Sequence, residues 1–182
     1  AGGVTLLASI TLTLAAQATG RGEAAQAMLL LGASTFGFLL HNFHPARIFM
    51  GDSGSMMLGY ILATVSVVGV MKTATVMALA LPIFVLAVPI VDGVATILRR
   101  LRRGRPIYLA DREHLHHRLL QAGLSHPEAV LVLYLLSGFF CMVGLMLSRL
   151  WRETVIFFIL MLLLVLGSSV RYSRLPSSQE GR

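Results

Sequence analysis

Two polar segments of the sequence carry the residue types that could do chemistry, and the first is HNFHPARIFMGDSGS at 41–55. It contains one carboxylate, Asp52, a hard oxygen ligand of the kind that Mg²⁺ binds together with waters and substrate phosphates. Ser53 and Ser55 lead into an apolar run, so we predict a helix that begins near Met56 and offers free N–H groups to an anion. Helix capping by Asp52 or Ser53 is an alternative that these residues leave open.

Asn42 is the second polar side chain of interest in this segment. Its amide could contact the edge of a sugar or a base. Because Asn also forms turns, and Pro45 follows three residues later, a turn-forming role is an equal alternative.

The second segment, 99–129, is strongly basic and rich in histidine. Five arginines fall within 99–105. They are followed by Asp111, Arg112, Glu113, His114, Leu115, His116, His117 and Arg118. The leucine spacing predicts a short amphipathic helix over 111–123 that ends at Gly123, with His114 and His117 on one face.

Three chemistries suit this basic segment. A zinc site would lack a nearby cysteine, and His114 and His117 supply too few ligands. A solvated basic face at a membrane surface is the plainest interpretation. An anion site for a diphosphate-bearing substrate or a lipid phosphate is the sharper one, because arginine and histidine donate charge-assisted hydrogen bonds.

The elements that must position these segments are membrane helices. Hydrophobic residues make up 56% of the 182 residues, charged residues 13%, and the mean hydropathy is +0.79, which favours an integral membrane protein. Apolar stretches of about spanning length occur at 4–19, 24–41, 56–71, 75–98, 130–148 and 154–170. We therefore predict an all-α, polytopic bundle of six transmembrane helices that forms a single domain over 1–182.

The fourth apolar stretch is unusual because it contains Pro82 and Pro89, followed by Asp92. Each proline removes a backbone donor, so we predict a kinked span. An ionisable residue in such a span is costly, so Asp92 is expected to pair with Arg99 or Arg100, or to orient the polar segment that follows.

The distribution of basic residues predicts the orientation. The loops and tail at 41–55, 99–129 and 171–182 together hold eleven of the fifteen Lys and Arg residues. Positive charge concentrates on the cytoplasmic side of membrane proteins, so these three segments are expected to be cytoplasmic. The net charge of +7 is thereby explained by topology, and we expect no nucleic-acid partner.

Three phrases resemble one known family, in order along the chain: HNFHPARIFMGDSGSMMLG, PIVDGVATILRRL and DREHLHHRLLQAGLS. They are similar to the C-terminal half of the polyprenyl-phosphate N-acetylhexosamine-1-phosphate transferases, relatives of the phospho-N-acetylmuramoyl-pentapeptide transferase. The resemblance covers essentially the whole chain. The form His114-Leu115-His116-His117 is more like the GlcNAc-1-phosphate transferase branch.

The resemblance implies a reaction and a set of roles. A polyprenyl (undecaprenyl) phosphate attacks a UDP-N-acetylhexosamine, which gives a lipid-diphosphate sugar and UMP, the first membrane step of a cell-envelope glycan pathway in a bacterial inner membrane. Asp52 would be a catalytic residue that binds Mg²⁺ or Mn²⁺. The other catalytic and substrate-binding residues implied are His114, His116, His117, Asn42, Ser53, Ser55, Asp111, Arg112 and Arg118. The expected partners are both substrates and the lipid bilayer, with a homodimer as a further expectation.

The same resemblance places an Asp-Asp pair and an Asn- and Asp-rich motif before Ala1. We therefore expect 1–182 to be a piece of a longer enzyme that is inactive alone. The alternative is a non-catalytic remnant or membrane-binding subunit of the same fold. A small transporter is a weaker alternative, because the two halves of the chain show no convincing repeat.

Overall fold

The structure is a computed structural model that describes residues 1–43, 46–70, 76–104 and 115–173. Within these ranges the chain forms eight helices and no strand, which confirms the all-α prediction for the part described. The helices are α1 (Gly2–Ala18), α2 (Gly22–Asn42), α3 (Gly51–Val70), α4 (Val76–Val85), α5 (Ala87–Arg102), α6 (Leu115–Gln121), α7 (His126–Leu147) and α8 (Trp151–Ser173).

The described helices include two that are long and apolar enough to cross a bilayer. These are α2 and α7, in which an 18-residue stretch has a mean hydropathy of 1.4 and 2.5, respectively. α1 is apolar but shorter. Where the structure describes them, the predicted apolar stretches are largely helical, whereas the number of membrane crossings stays a prediction.

The predicted fourth span is divided between α4 and α5, which are separated by Leu86. Pro82 lies inside α4, and Pro89 lies in the first turn of α5. Because Pro89 has no N–H, it cannot donate to the carbonyl of Val85, where α4 ends. The chain continues through hydrogen bonds from Leu86 N to Pro82 O (3.0 Å) and from Ile90 N to Leu86 O (3.1 Å). The predicted kink stays a prediction.

Helix α1 is the centre of the bundle and packs against α2, α3, α4, α7 and α8. Ala8 of α1 is fully buried in the same core as Met28, Cys141 and Phe157, which come from α2, α7 and α8. The hydroxyl of Thr11 donates to Leu7 O (2.8 Å), one turn earlier. Such back-bonding satisfies a hydroxyl group that would otherwise be costly to bury.

Helices α1 and α2 run antiparallel to each other, so the start of α1 lies beside the end of α2. A Cβ placed on Gly2 would lie 3.2 Å from Cδ2 of Leu39. Near their middles, a Cβ on Gly32 would lie 3.3 Å from Cβ of Ser9. These small residues allow the two backbones to approach closely, as they do in many membrane helix pairs.

Candidate functional site

The loop between α2 and α3 is tied back onto the end of α2. Nδ2 of Asn42 donates to Ile48 O (2.8 Å), and Arg47 N donates to His41 O (2.9 Å). The Asn42 amide therefore performs the turn-forming role, one of the two predicted for it. A contact between Asn42 and a substrate stays a prediction.

Asp52 lies in the first turn of α3, with its side chain exposed. The helix begins at Gly51, so the predicted start near Met56 is wrong. Gly51 has a φ of +67°, a left-handed conformation that glycine adopts at little cost, and the chain enters the helix directly after it. An acidic residue in the first turn is favoured by the partial positive charge at a helix N-terminus.

The two serines of this segment also lie inside α3 and not before it. Oγ of Ser55 donates to the backbone oxygen of Asp52 (2.9 Å), so this hydroxyl is used within the first turn. Ser53 is exposed. Because the helix begins at Gly51, Asp52 and Ser53 do not occupy the N-cap position that the capping alternative requires. The Asp52 carboxylate is thus displayed on the surface at the helix start.

Helix α6 carries the described part of the histidine segment. The rings of His116 and His117 lie with their centroids 3.9 Å apart and tilted by 36°. His117 is half-buried, whereas His116 and Arg118 are exposed. Three further predicted site residues lie outside the described residues: Asp111, Arg112 and His114.

The end of α6 follows the prediction. Gly123 has a φ of +95°, and Leu124 N donates to Leu119 O (3.3 Å) while Gly123 N donates to Leu120 O (3.1 Å). Helices commonly end at a glycine in the left-handed conformation, with backbone hydrogen bonds of this kind to carbonyls of the last turn. Gly123 therefore turns the chain from α6 into α7 within a few residues.

The described parts of both polar segments lie at the same end of the bundle. A cavity of about 490 Å³ is lined by Gly3 at the start of α1, by Phe43 just after α2, and by Leu131 in the second turn of α7. Its other walls are apolar side chains of α8, among them Leu164. Phe43 is adjacent to Asn42, and Leu131 follows α6 closely, so the end of the bundle that carries one loop also carries the other.

The cavity was not predicted from the sequence. Its lining consists of apolar residues with ordinary helical spacing, the same pattern that a packed core gives. Only the arrangement of the four helices in the structure shows that these residues line a cavity and do not form a packed core.

The candidate cation site at Asp52 offers one protein carboxylate. Within 1–43, 46–70, 76–104 and 115–173, no three His, Cys, Asp or Glu side chains are grouped so that they could hold a metal ion. Mg²⁺ usually keeps several waters and binds one or two carboxylates together with substrate phosphates. The exposed Asp52 carboxylate leaves room for waters and phosphates, so it fits a cation of this kind.

Asp92 contacts α6 directly; because α6 carries His116 and His117, we call it the histidine helix. Its Oδ1 accepts a hydrogen bond from the backbone N–H of Leu115 (2.9 Å), the first residue of α6. The polar segment was one of the partners predicted for Asp92. The bond joins α5 to α6 across 23 positions of sequence.

These observations define the class: a helical protein with helices of membrane-spanning length and two polar segments displayed at one end. Residues 1–70 match the model of glycosyl transferase family 4. The resemblance drawn from the motifs is thereby confirmed.

Curated relatives extend the match beyond residue 70. The chain is 38% identical over 172 residues to a Bacillus subtilis protein named "Probable undecaprenyl-phosphate N-acetylglucosaminyl 1-phosphate transferase", an alignment that covers 93% of the chain and 48% of the relative. It is 44% identical over 121 residues to the decaprenyl-phosphate N-acetylglucosaminephosphotransferase of Mycobacterium tuberculosis, which covers 60% of the chain and 30% of the relative.

A third relative is the undecaprenyl-phosphate alpha-N-acetylglucosaminyl 1-phosphate transferase of Haemophilus influenzae. It is 31% identical over 123 residues, which are 65% of the chain and 35% of the relative. The chain thus spans about half, or less, of the length of the curated relatives it matches. No solved structure matches the chain significantly.

Proposed function

We propose that the chain is part of an enzyme that transfers N-acetylglucosamine 1-phosphate from its UDP-sugar to a polyprenyl phosphate, with undecaprenyl phosphate as the expected acceptor. The products are a polyprenyl-diphosphate sugar and UMP. The observation that carries this proposal is the alignment with the Bacillus subtilis relative, which extends over 93% of the chain and includes both polar segments. The names of the mycobacterial and Haemophilus relatives support the same reaction class.

Asp52 is the residue that we expect to bind the divalent cation, Mg²⁺ or Mn²⁺. When bound, the cation would neutralise phosphate charge as the phosphoryl group moves between two oxygens. The carboxylate is exposed at the start of α3, where phosphates can approach it from the aqueous side. The N-terminus of α3 adds a partial positive charge that attracts the same anions.

The histidine helix is the part that we expect to hold the diphosphate of the sugar nucleotide. His116, His117 and Arg118 are consecutive on α6, and none of them is buried. Histidine and arginine donors bind phosphate oxygens with short, charge-assisted hydrogen bonds. His114, Asp111 and Arg112 are expected to extend this site, and Asn42, Ser53 and Ser55 to support the nucleotide sugar from the α2–α3 side.

The two substrates explain the place of the site. One is dissolved in water and the other in lipid, so their phosphates must meet at the membrane boundary. We infer a multi-pass protein of the bacterial inner membrane whose polar loops and C-terminal tail face the cytoplasm, because these segments hold most of the basic residues. A homodimer stays a prediction.

The experiment uses the full-length protein, purified in detergent and supplied with Mg²⁺ and undecaprenyl phosphate. A panel of UDP-sugars is added, and release of UMP is measured together with the formation of lipid-linked sugar. We expect release with UDP-GlcNAc and none when the lipid phosphate is omitted. Binding of the nucleotide sugar without any release of UMP would instead support the non-catalytic remnant.

A further inference from the structure

Asp92 is half-buried on α5, outside both polar segments, yet it reaches the segment that carries the histidines. Its Oδ1 lies 2.9 Å from the backbone nitrogen of Leu115, which donates the hydrogen bond. Leu115 is the first residue of α6, and a helix leaves its first N–H groups without partners inside the helix. A carboxylate is a favourable acceptor there, because its charge opposes the positive end of the helix.

Helix α6 depends on such contacts. It has seven residues and contributes none to the buried core. A helix this short is not stable in water by itself, since nucleation costs more than so few hydrogen bonds return. Its C-terminal end is held by the turn at Gly123 and by the packing of α6 on α7. The Asp92 bond holds the opposite end, directly before His116.

We propose that Asp92 is a positioning residue that fixes the start of α6 on α5, and so sets where His116 and His117 lie. The proposal rests on the function proposed above for the histidine helix. Asp92 acts through the main chain of Leu115 and does not need to touch a substrate. Loss of the bond would weaken the attachment of the N-terminal end of α6 to α5, while the end at Gly123 stays attached.

The proposal assigns the effect to one substrate. Since α6 is expected to hold the diphosphate of the sugar nucleotide, a displaced α6 should impair use of the UDP-sugar. Misplacement of a binding group by about an ångström can cost as much as about 100-fold in rate, so we expect Asp92→Ala to lower kcat/KM for the UDP-sugar by about 10–100-fold. The KM for the polyprenyl phosphate should stay unchanged.

The test compares four single variants of the full-length protein. Asp92→Ala removes the acceptor, whereas Asp92→Asn keeps a side-chain oxygen of the same reach. Leu115→Pro removes the donor N–H at the first position of α6, where proline is otherwise tolerated. Leu115→Ala is its matched control, because it shortens the side chain and keeps the N–H.

We expect Asp92→Ala and Leu115→Pro to impair the enzyme to a similar degree, and Asp92→Asn and Leu115→Ala to retain most of the activity. The double variant Asp92→Ala/Leu115→Pro should be no worse than Asp92→Ala alone, because both substitutions remove the same bond. Additive losses would overturn the proposal. So would wild-type kinetics in Asp92→Ala, or an Asp92→Asn variant as impaired as Asp92→Ala.

Amide hydrogen exchange separates this proposal from the proposed function. Asp92→Ala should speed exchange over 115–121 and leave exchange in α7 unchanged, whether or not the wild-type protein transfers sugar phosphate. Unchanged exchange in α6 would sink the positioning role even if the enzyme is active. Absence of UMP release from the wild-type protein would sink the proposed function alone. If Asp92→Ala fails to fold, the same kinetics and amide exchange are measured on Leu115→Pro, which also lacks the bond.

Discussion

At the scale of single residues, residue type predicted where chemistry could occur, and the structure shows which groups are already engaged. The Asn42 amide donates to Ile48 O, and Oγ of Ser55 donates to the backbone of its own turn. The Asp52 carboxylate, by contrast, is exposed at the start of α3. Bonds such as those of Asn42 cannot be predicted from composition, since they depend on how the loop folds back onto α2.

Asp52→Asn in the full-length enzyme should abolish transfer and leave the protein folded. The substitution preserves shape and removes the charge that a divalent cation requires, and loss of one such electrostatic contact typically lowers kcat by about 100-fold or more. UMP release measures the effect, and thermal unfolding in detergent checks the fold.

Met56→Ala is the matched control for this prediction. Met56 is 74% exposed on the same helix, one turn beyond Asp52, and carries no charge. It should keep near-normal activity. Wild-type turnover by Asp52→Asn would refute the role assigned to the carboxylate.

At the scale of elements, hydrophobic length predicted helix positions well, and backbone chemistry decided the boundaries. The apolar stretch 24–41 became α2 at Gly22–Asn42, and 130–148 became α7 at His126–Leu147. The start of α3 was misplaced because Gly51 takes a positive φ, and that conformation can be seen only in the fold. The break at Leu86 lies between two prolines that the sequence displays.

The contacts between elements were beyond the reach of the sequence. Gly144 of α7 lies against α4, where a Cβ would be 3.0 Å from Cδ1 of Leu81 and 3.1 Å from Cβ of Phe84. Gly59 of α3 is also a helical glycine, yet a Cβ there would meet nothing within 4 Å. In the sequence, Gly144 and Gly59 are both glycines within apolar helices, and only the packing around them shows which one lies at a close helix contact.

Gly144→Leu should therefore destabilise the bundle far more than Gly59→Leu. A larger side chain at Gly144 must displace α4 or α7, and overpacking of this kind typically costs about 1–3 kcal/mol. At Gly59 the new side chain has open space. Thermal unfolding of the two variants in the same detergent measures the difference, and equal melting temperatures would contradict the close packing of α4 on α7.

At the scale of the whole molecule, the arrangement of the helices determines whether two distant segments can serve one reaction. Phe43, next to the first polar segment, and Leu131, just after α6, are 88 positions apart in the sequence, yet both line one cavity. An antiparallel bundle brings such segments together because alternate connections lie at the same end. The distribution of basic residues independently predicts that the two segments lie on the same side of the membrane.

The last prediction concerns the side of the membrane that this end faces. Cysteines introduced at Phe49 and Gln121 should react with an impermeant maleimide only after cells are permeabilised, whereas cysteines at Thr19 and Trp151 should react in intact cells. Phe49 is 82% exposed and Trp151 is 61% exposed, and all four positions lie outside the core. The native Cys141 is fully buried and supplies a silent background.

The reason for two sides is geometric: α1 starts at the cavity, and its 17 residues place Thr19 about 25 Å away along the axis. Labelling of Phe49→Cys and Gln121→Cys from opposite sides would separate the carboxylate from the histidines by a bilayer, and no single sugar nucleotide could then reach both.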